Sequence, residues 1–140
     1  MPLHLSALTV LVPDYEEAIA YFTQTLGFDL VEDTPITNTK RWVKVAPPGS
    51  GQPAILLAKA TTPEQLAQVG RQAGGRVLLF ITTTDFTADY ARLLAAGVRF
   101  MEAPRQEAYG RVAVFEDPWG NRYDLLEELA GAAVVKDLLF

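Results

Sequence analysis

Apolar residues in the first half of the chain change from strand-like to helix-like spacing and back. Residues 3–12 are rich in aliphatic and β-branched side chains and end at Pro13-Asp14, which predicts a strand followed by a turn. Asp14 is typical of a helix N-cap, and Gly27 of a helix C-terminus. Between them, four apolar residues share one helical face: Ala18, Ile19, Phe22 and Leu26. Three strands are predicted to follow, at residues 28–33, 40–46 and 54–60.

The second half repeats this order. Residues 62–65 favour a short helix in a connecting segment, and residues 76–83 predict a strand. A helix is predicted at residues 85–96, with Gly97 at its end. Three more strands are predicted, at residues 98–103, 111–116 and 121–127, the last two joined by a tight turn at 117–120.

The two halves therefore predict a duplicated βαβββ module. Asp14 precedes Gly27 by thirteen residues and Asp85 precedes Gly97 by twelve, each Asp opening an amphipathic helix. We expect an α+β fold in which both modules form one curved mixed sheet, a cup, with the helices on its outer face. In this division a single domain spans residues 1–140, with module 1 at about 1–61, a connecting segment at 62–75, module 2 at about 76–128 and an apolar tail at 129–140. The tail is expected to dock as a short helix or to fray.

Composition narrows the class of protein. The chain has 140 residues, a net charge of −5 and no cysteine. Basic residues do not cluster along one face of a predicted element, which disfavours nucleic acid because phosphate binding needs a basic patch. No apolar run approaches the roughly 20 residues of a membrane span, and no signal-peptide pattern opens the chain. The absence of cysteine gives no sign of an oxidising compartment, so we expect a cytoplasmic protein.

A sheet covered by helices on one face leaves the other face to be covered. We expect a pocket for a small molecule there, and pairing of the modules within one chain or between two chains. A homodimer follows from this burial argument. The sequence leaves open which kind of pairing occurs.

Several short motifs carry a resemblance to a known family. They are Val12-Pro13-Asp14, Leu26-Gly27-Phe28, Ala95-Ala96-Gly97-Val98 and Asp117-Pro118-Trp119-Gly120-Asn121, and together they extend over nearly the whole chain. The sequence resembles the vicinal oxygen chelate superfamily of glyoxalases, bleomycin-resistance proteins and extradiol dioxygenases. The resemblance implies paired βαβββ modules and, in catalytic relatives, one divalent metal ion held by histidine and glutamate side chains.

This sequence departs from that metal-binding pattern. Spacing from the motifs places the four ligand positions at Ala7, Leu57, Leu78 and Asp124, of which only Asp124 has an oxygen donor. A lone carboxylate holds a divalent ion weakly, so we expect no metal and no other cofactor. His4, the only histidine, is expected opposite Ala7, either toward the helix side or at the exposed start of the strand, and is not predicted to bind metal.

The expected pocket combines these vacated positions with nearby polar and aromatic residues. Alternation along strands predicts that Thr82 shares the face of Leu78, Lys59 that of Leu57, and Arg122 that of Asp124. Arg122 is interpreted either as a structural partner of Asp124 or as a group that orients an anionic substrate or tunes the carboxylate. Aromatic and basic residues are expected in the wall or, alternatively, in the core or an interface: Arg41, Trp42 and Tyr109.

Three functions remain open from the sequence. We favour a glyoxalase/bleomycin-resistance-like protein that binds an unknown small molecule without a metal and without transforming it. The alternative is a glyoxalase- or dioxygenase-type enzyme with a non-standard metal site, or with Asp124 as general base. The third is a structural or regulatory dimer without a ligand.

Overall fold

The computed structural model describes residues 2–129 and divides the chain into two compact units, one ending at Gln72 and the other beginning at Ala73. Each unit contains one mixed sheet and at least one helix, which confirms the α+β class. The expected docking of the apolar tail falls at residues 130–140 and lies outside the described residues. No helix among the described residues is long and apolar enough to cross a membrane.

The first unit has a four-stranded sheet in the order β1-β4-β3-β2. Its elements are β1 (Ala7–Val12), α1 (Tyr15–Ala20) continued by a π-helical turn (Tyr21–Thr25), β2 (Asp29–Pro35), β3 (Arg41–Ala46), β4 (Ala54–Lys59) and α2 (Pro63–Gln68). β1 and β4 are parallel, whereas β3 is antiparallel to both of its neighbours.

The register of these strands decides which side chains face helix α1. Leu57 pairs with both Val10 and Val43, so these three side chains point to the same side of the sheet. All three are fully buried, as are Ala18 and Phe22 of the helix. They form the core between sheet and helix. Most side chains on the opposite face, which we call the open face, are half-buried or exposed in the described part of the chain.

Local sequence signals set the limits of α1. The Asp14 carboxylate accepts a hydrogen bond from the Glu17 backbone N–H at 2.9 Å, and so caps the helix N-terminus. Near the other end the Leu26 N–H donates to the Tyr21 carbonyl, five residues back, which makes the last turn π-helical. The sequence pattern predicted one helix here but not its change of pitch.

The second unit has a five-stranded sheet in the order β5-β9-β8-β6, with β7 also paired to β8. Its elements are β5 (Val77–Thr82), α3 (Phe86–Ala95), β6 (Arg99–Phe100), β7 (Arg105–Glu107), β8 (Gly110–Glu116) and β9 (Arg122–Glu128). β5 and β9 are parallel, as are β1 and β4 in the first unit. This shared topology agrees with the predicted duplication.

A row of aromatic rings joins α3 to the sheet of the second unit. Phe86 stacks on Tyr90 at 5.8 Å, and Tyr90 contacts Phe100 at 4.5 Å between ring centroids. Phe100 meets Phe115, which stacks on Tyr123 at 5.0 Å. These contacts identify the face of the sheet that carries the helix.

The strands lie in two mixed sheets, one in each unit. Two details of the predicted fold are corrected by the structure. The described residues contain nine strands rather than eight, because residues 105–107 form an extra short strand against β8. The first strand begins at Ala7, so the exposed His4 precedes it and strand alternation does not apply to that residue.

Candidate functional site

Each unit has a cavity beside the open side of its sheet. In the first unit the cavity measures about 560 Å³. Residues from β1, β3 and β4 contribute to it, together with the loop before β3, the segment after β4 and the starts of α1 and α2. Its lining residues are Thr9, Leu11, Tyr15, Thr37, Thr39, Lys40, Arg41, Trp42, Leu56, Leu57, Ala58, Lys59, Thr61 and Gln65.

Arg41 is held at this cavity by two carboxylates. Its guanidinium bonds Asp33 Oδ2 at 2.6 Å and also contacts Glu16 Oε1. The hydrogen bonds to Asp33 and then to Glu16 raise the pKa of Arg41 further above its already high value, and the same Arg41 contact lowers the pKa of Asp33. The guanidinium also lies 5.2 Å from the ring centroid of Tyr15. Arg41 is therefore engaged within the protein.

The cavity of the second unit measures about 450 Å³ and contains one buried carboxylate. Its lining residues are Gly75, Arg76, Val77, Phe80, Arg105, Tyr109, Val114, Arg122 and Asp124. Asp124 pairs with Phe80 on one side and Val114 on the other, and so points away from the face that carries α3. Phe80 is 60% exposed on this open face.

The surroundings of Asp124 raise the pKa of its carboxyl group. The residue is only 8% exposed, and among the described residues its Oδ1 has no hydrogen-bond partner. Burial raises the pKa of Asp124, the positive charge of Arg105 opposes that rise, and the negative charge of Glu102 adds to it. Arg105 is itself bonded to Glu102 at 2.9 Å and contacts Glu107. The cavity thus presents an oxygen able to accept a hydrogen bond.

The turn that precedes β9 is built around a second buried carboxylate. Asp117 Oδ1 accepts hydrogen bonds from the backbone N–H groups of Trp119, Gly120 and Asn121 at 2.9–3.0 Å. Its Oδ2 accepts from the Asn121 side chain at 3.0 Å and the Tyr123 hydroxyl at 2.7 Å. Burial raises the pKa of Asp117, although these bonds oppose the rise. The Asp117–Asn121 motif that contributes to the family resemblance is therefore a structural turn.

The structure brings most of the predicted pocket residues to the two cavities. Four of them line the cavity of the first unit: Arg41, Trp42, Leu57 and Lys59. Three line the cavity of the second: Tyr109, Arg122 and Asp124. Ala7, Leu78 and Thr82 are not among the described residues that line either cavity.

Two expectations about these residues need correction. Leu57 points to the helix side with Val10, and Leu56 and Ala58, which pair with Thr9 and Leu11, occupy the open face instead. Lys59 lies two residues after Leu57 and therefore shares its face, but it is the exposed last residue of β4. Its side chain lines the cavity from the end of the strand. Among the described residues, no ion pair joins Arg122 to Asp124.

Several cavity residues were missed by sequence reasoning. In the first unit they include Thr9 and Leu11, which alternate with Ala7 along β1, and Leu56, which an alternation count shifted by one residue in β4 finds. In the second unit they include Phe80 and Arg105. Leu78 was placed by its spacing from a sequence motif, and a register shift between Val77 and Leu79 falls at this residue. Strand β7, which carries Arg105, had no sequence signal because it is only three residues long.

The two modules, each with a cavity beside its sheet, define a duplicated α+β protein. The chain belongs to the glyoxalase/bleomycin resistance protein/dioxygenase superfamily, whose family profile matches residues 4–125. An uncharacterized protein of Shewanella frigidimarina is 50% identical over 121 residues, which cover 86% of this chain and 90% of that protein.

Two further comparisons concern proteins whose names state a function. The crystal structure of TnmS3, an antibiotic binding protein from Streptomyces sp. CB03234, has a TM-score of 0.76 and 33% identity and covers 92% of this chain and 99% of its own. A 2-epi-5-epi-valiolone epimerase of Actinomyces sp is 27% identical over 142 residues, which cover 86% of this chain and 77% of the enzyme.

Proposed function

We propose that this protein binds a small organic molecule at the open faces of its sheets and releases it unchanged. The observation that carries the proposal is the pair of cavities, about 560 and 450 Å³. Both volumes fall within the range of small-molecule sites, about 300–1,000 Å³. The similarity to TnmS3, an antibiotic binding protein, supports the same conclusion.

We also propose that binding requires no metal ion or other cofactor. The donor set does not fit a divalent site, because Ala7, Leu57 and Leu78 have no donor atoms in their side chains. Among residues 2–129 no group of three or more His, Cys, Asp or Glu side chains is close enough to hold an ion. Asp124 alone gives one ligand where stable sites need several. Elemental analysis of the purified protein and melts with Zn²⁺, Ni²⁺, Mn²⁺ and Fe²⁺ test this point, since a metal that binds the folded state raises its melting temperature.

The experiment for ligand binding is a thermal-shift screen against antibiotics and small metabolites. A ligand present at 100 times its Kd stabilises the folded state by roughly 2.7 kcal/mol, which is several degrees for a protein of this size. Each hit is repeated with Trp42→Ala in the first cavity and Phe80→Ala in the second. Leu94→Ala, which removes an exposed apolar side chain on α3 outside both cavities, is the control. A screen without hits, or hits unaffected by both cavity variants, contradicts the proposal.

An enzyme that uses Asp124 as general base is the second candidate. Its support is the buried carboxylate with one unbonded oxygen in a cavity, together with the similarity to an epimerase. Each screening hit is therefore incubated with the protein and analysed by mass spectrometry and by proton–deuterium exchange, which detects an epimerase-type proton abstraction. Turnover or exchange that Asp124→Asn abolishes would establish the enzyme and displace the binding protein.

We propose a cytoplasmic homodimer as the working assembly. The support for a dimer is the exposure of an aromatic side chain on the open face of each sheet, 60% for Phe80 and 39% for Trp42. Light scattering coupled to size-exclusion chromatography measures the mass of the particle and so tests the dimer. Cell fractionation tests the cytoplasmic location. A dimer without any ligand in the screen would favour a structural or regulatory role.

A further inference from the structure

The cavity of the first unit has an unbalanced set of charges. Lys40, Arg41 and Lys59 line it, and none of its other eleven lining residues is Asp or Glu. The whole chain has five more acidic than basic residues. The lining is thus opposite in sign to the protein as a whole, which favours an anionic ligand.

The two lysines, rather than Arg41, carry the charge available to a ligand. Arg41 is bound by Asp33 and Glu16, so that cluster has a net charge of about −1. Among the described residues neither Lys40 nor Lys59 takes part in an ion pair. Lys40 immediately precedes β3 and Lys59 ends β4. Because these strands are antiparallel, both lysines lie at the same end of the sheet.

An aromatic and aliphatic surface lies beside these lysines. Trp42 precedes Val43, which faces α1, so alternation along β3 places the Trp42 side chain on the open face, where it is 39% exposed. Leu11, Leu56 and Ala58 supply apolar surface on β1 and β4 of the same cavity. An exposed indole ring offers a flat surface on which another ring can stack.

We propose that the cavity of the first unit binds an aromatic molecule with an anionic group, its rings against Trp42 and its charge between Lys40 and Lys59. The anionic group is a carboxylate, sulfonate, phosphonate or phenolate. This inference rests on the proposed small-molecule function and specifies the ligand class for one of the two cavities.

The test compares two dyes with one ring skeleton. The anionic dye is 8-anilinonaphthalene-1-sulfonate, and N-phenyl-1-naphthylamine is the same molecule without the sulfonate. Binding is followed by dye fluorescence and by energy transfer from Trp42 in a Trp119→Phe background, which leaves Trp42 as the only tryptophan. We expect the sulfonate to bind about tenfold more tightly than the neutral dye, because each exposed ion pair contributes up to about a factor of five. Raising the salt from 0.05 to 1 M should remove most of that preference.

Charge variants locate the effect. The double variant Lys40→Gln/Lys59→Gln should weaken the sulfonate about tenfold and change the affinity of the neutral dye less than about twofold. Arg71→Gln/Arg99→Gln is the control, because it changes net charge by the same amount at two exposed residues outside the cavity. It should leave both affinities unchanged. Circular dichroism confirms that every variant is folded.

Either of two results would overturn the inference. Equal affinity for the two dyes, or an equal effect of the lysine and control variants, would exclude anion selectivity and leave small-molecule binding intact. Failure of both dyes to quench Trp42 would exclude an aromatic site in this cavity. The thermal-shift screen of unrelated compounds decides separately whether the protein binds a small molecule at all.

Discussion

Replacing adjacent leucines of β4 tests which face of the sheet packs against α1. Leu57 is fully buried on the helix side, whereas Leu56 is half-buried on the open side. Leu57→Ala removes three carbon atoms from the core, at about 0.8 kcal/mol each, and leaves a cavity, so we expect a loss of roughly 3–4 kcal/mol. Leu56→Ala loses about half of the transfer free energy and leaves no enclosed void, so we expect about 1 kcal/mol.

Urea denaturation followed by circular dichroism measures both values. At roughly 3 °C per kcal/mol, the two melting temperatures should differ by about 6–9 °C. Leu56→Ala should instead have the larger effect on any ligand that binds the first cavity. Equal destabilisation by the two variants, or a larger loss from Leu56→Ala, would refute the register argument and restore Leu57 to the pocket face.

Three more predictions concern the second unit. Asp117→Ala removes the acceptor of five hydrogen bonds and should lower the free energy of unfolding by about 3–4 kcal/mol. Tyr123→Phe deletes one of these bonds and should lower it by about 1–2 kcal/mol. Equal losses of stability in urea unfolding would contradict this account of the turn. Gly110→Ala places a Cβ 2.0 Å from a backbone oxygen of the paired strand and should lower the free energy of unfolding by at least about 3 kcal/mol. Gly97→Ala has positive φ but no atom within 4 Å of the new Cβ, so it should lower that free energy by only about 1–2 kcal/mol. Similar melting temperatures of the two variants would show that the backbone of the paired strand moves to accept the Cβ. Because burial raises the pKa of Asp124, its contribution to stability is greatest below the unfolded pKa of about 4 and is lost as pH rises through the folded pKa. Asp124→Asn should therefore be more stable than the unmodified protein at pH 7, and a gap that does not narrow towards pH 4 would exclude the effect.

Part of the candidate site was accessible from sequence because strand alternation is local. Arg122 and Asp124 were predicted on one face, and the register of β9 with β8 agrees, since their partners Glu116 and Val114 also alternate by two. Leu57 shows the limit of that reasoning. Its face depends on pairing with β1, and an error of one residue in matching β4 to a family pattern reverses the side to which every residue of the strand is assigned.

The electrostatics of Asp124 also required tertiary structure. The sequence identifies an acidic residue after Tyr123, but not that Phe80 and Val114 flank it or that Oδ1 has no hydrogen-bond partner in the described chain. Desolvation depends on atoms brought together from separate strands. Arg105, whose charge opposes the rise in pKa, lies on a strand too short to have a sequence signature.

The sequence by itself determined the order of the helices and of every strand except β7, together with the duplication and the family. Those properties depend on hydrophobic period, caps and turn residues such as Asp14 and Asp117, which act over a few neighbouring positions. Tertiary structure decided strand register, the division into two sheets and the lining of the cavities. These depend on which distant segments pair, and in each strand a shift of one residue exchanges core and open face.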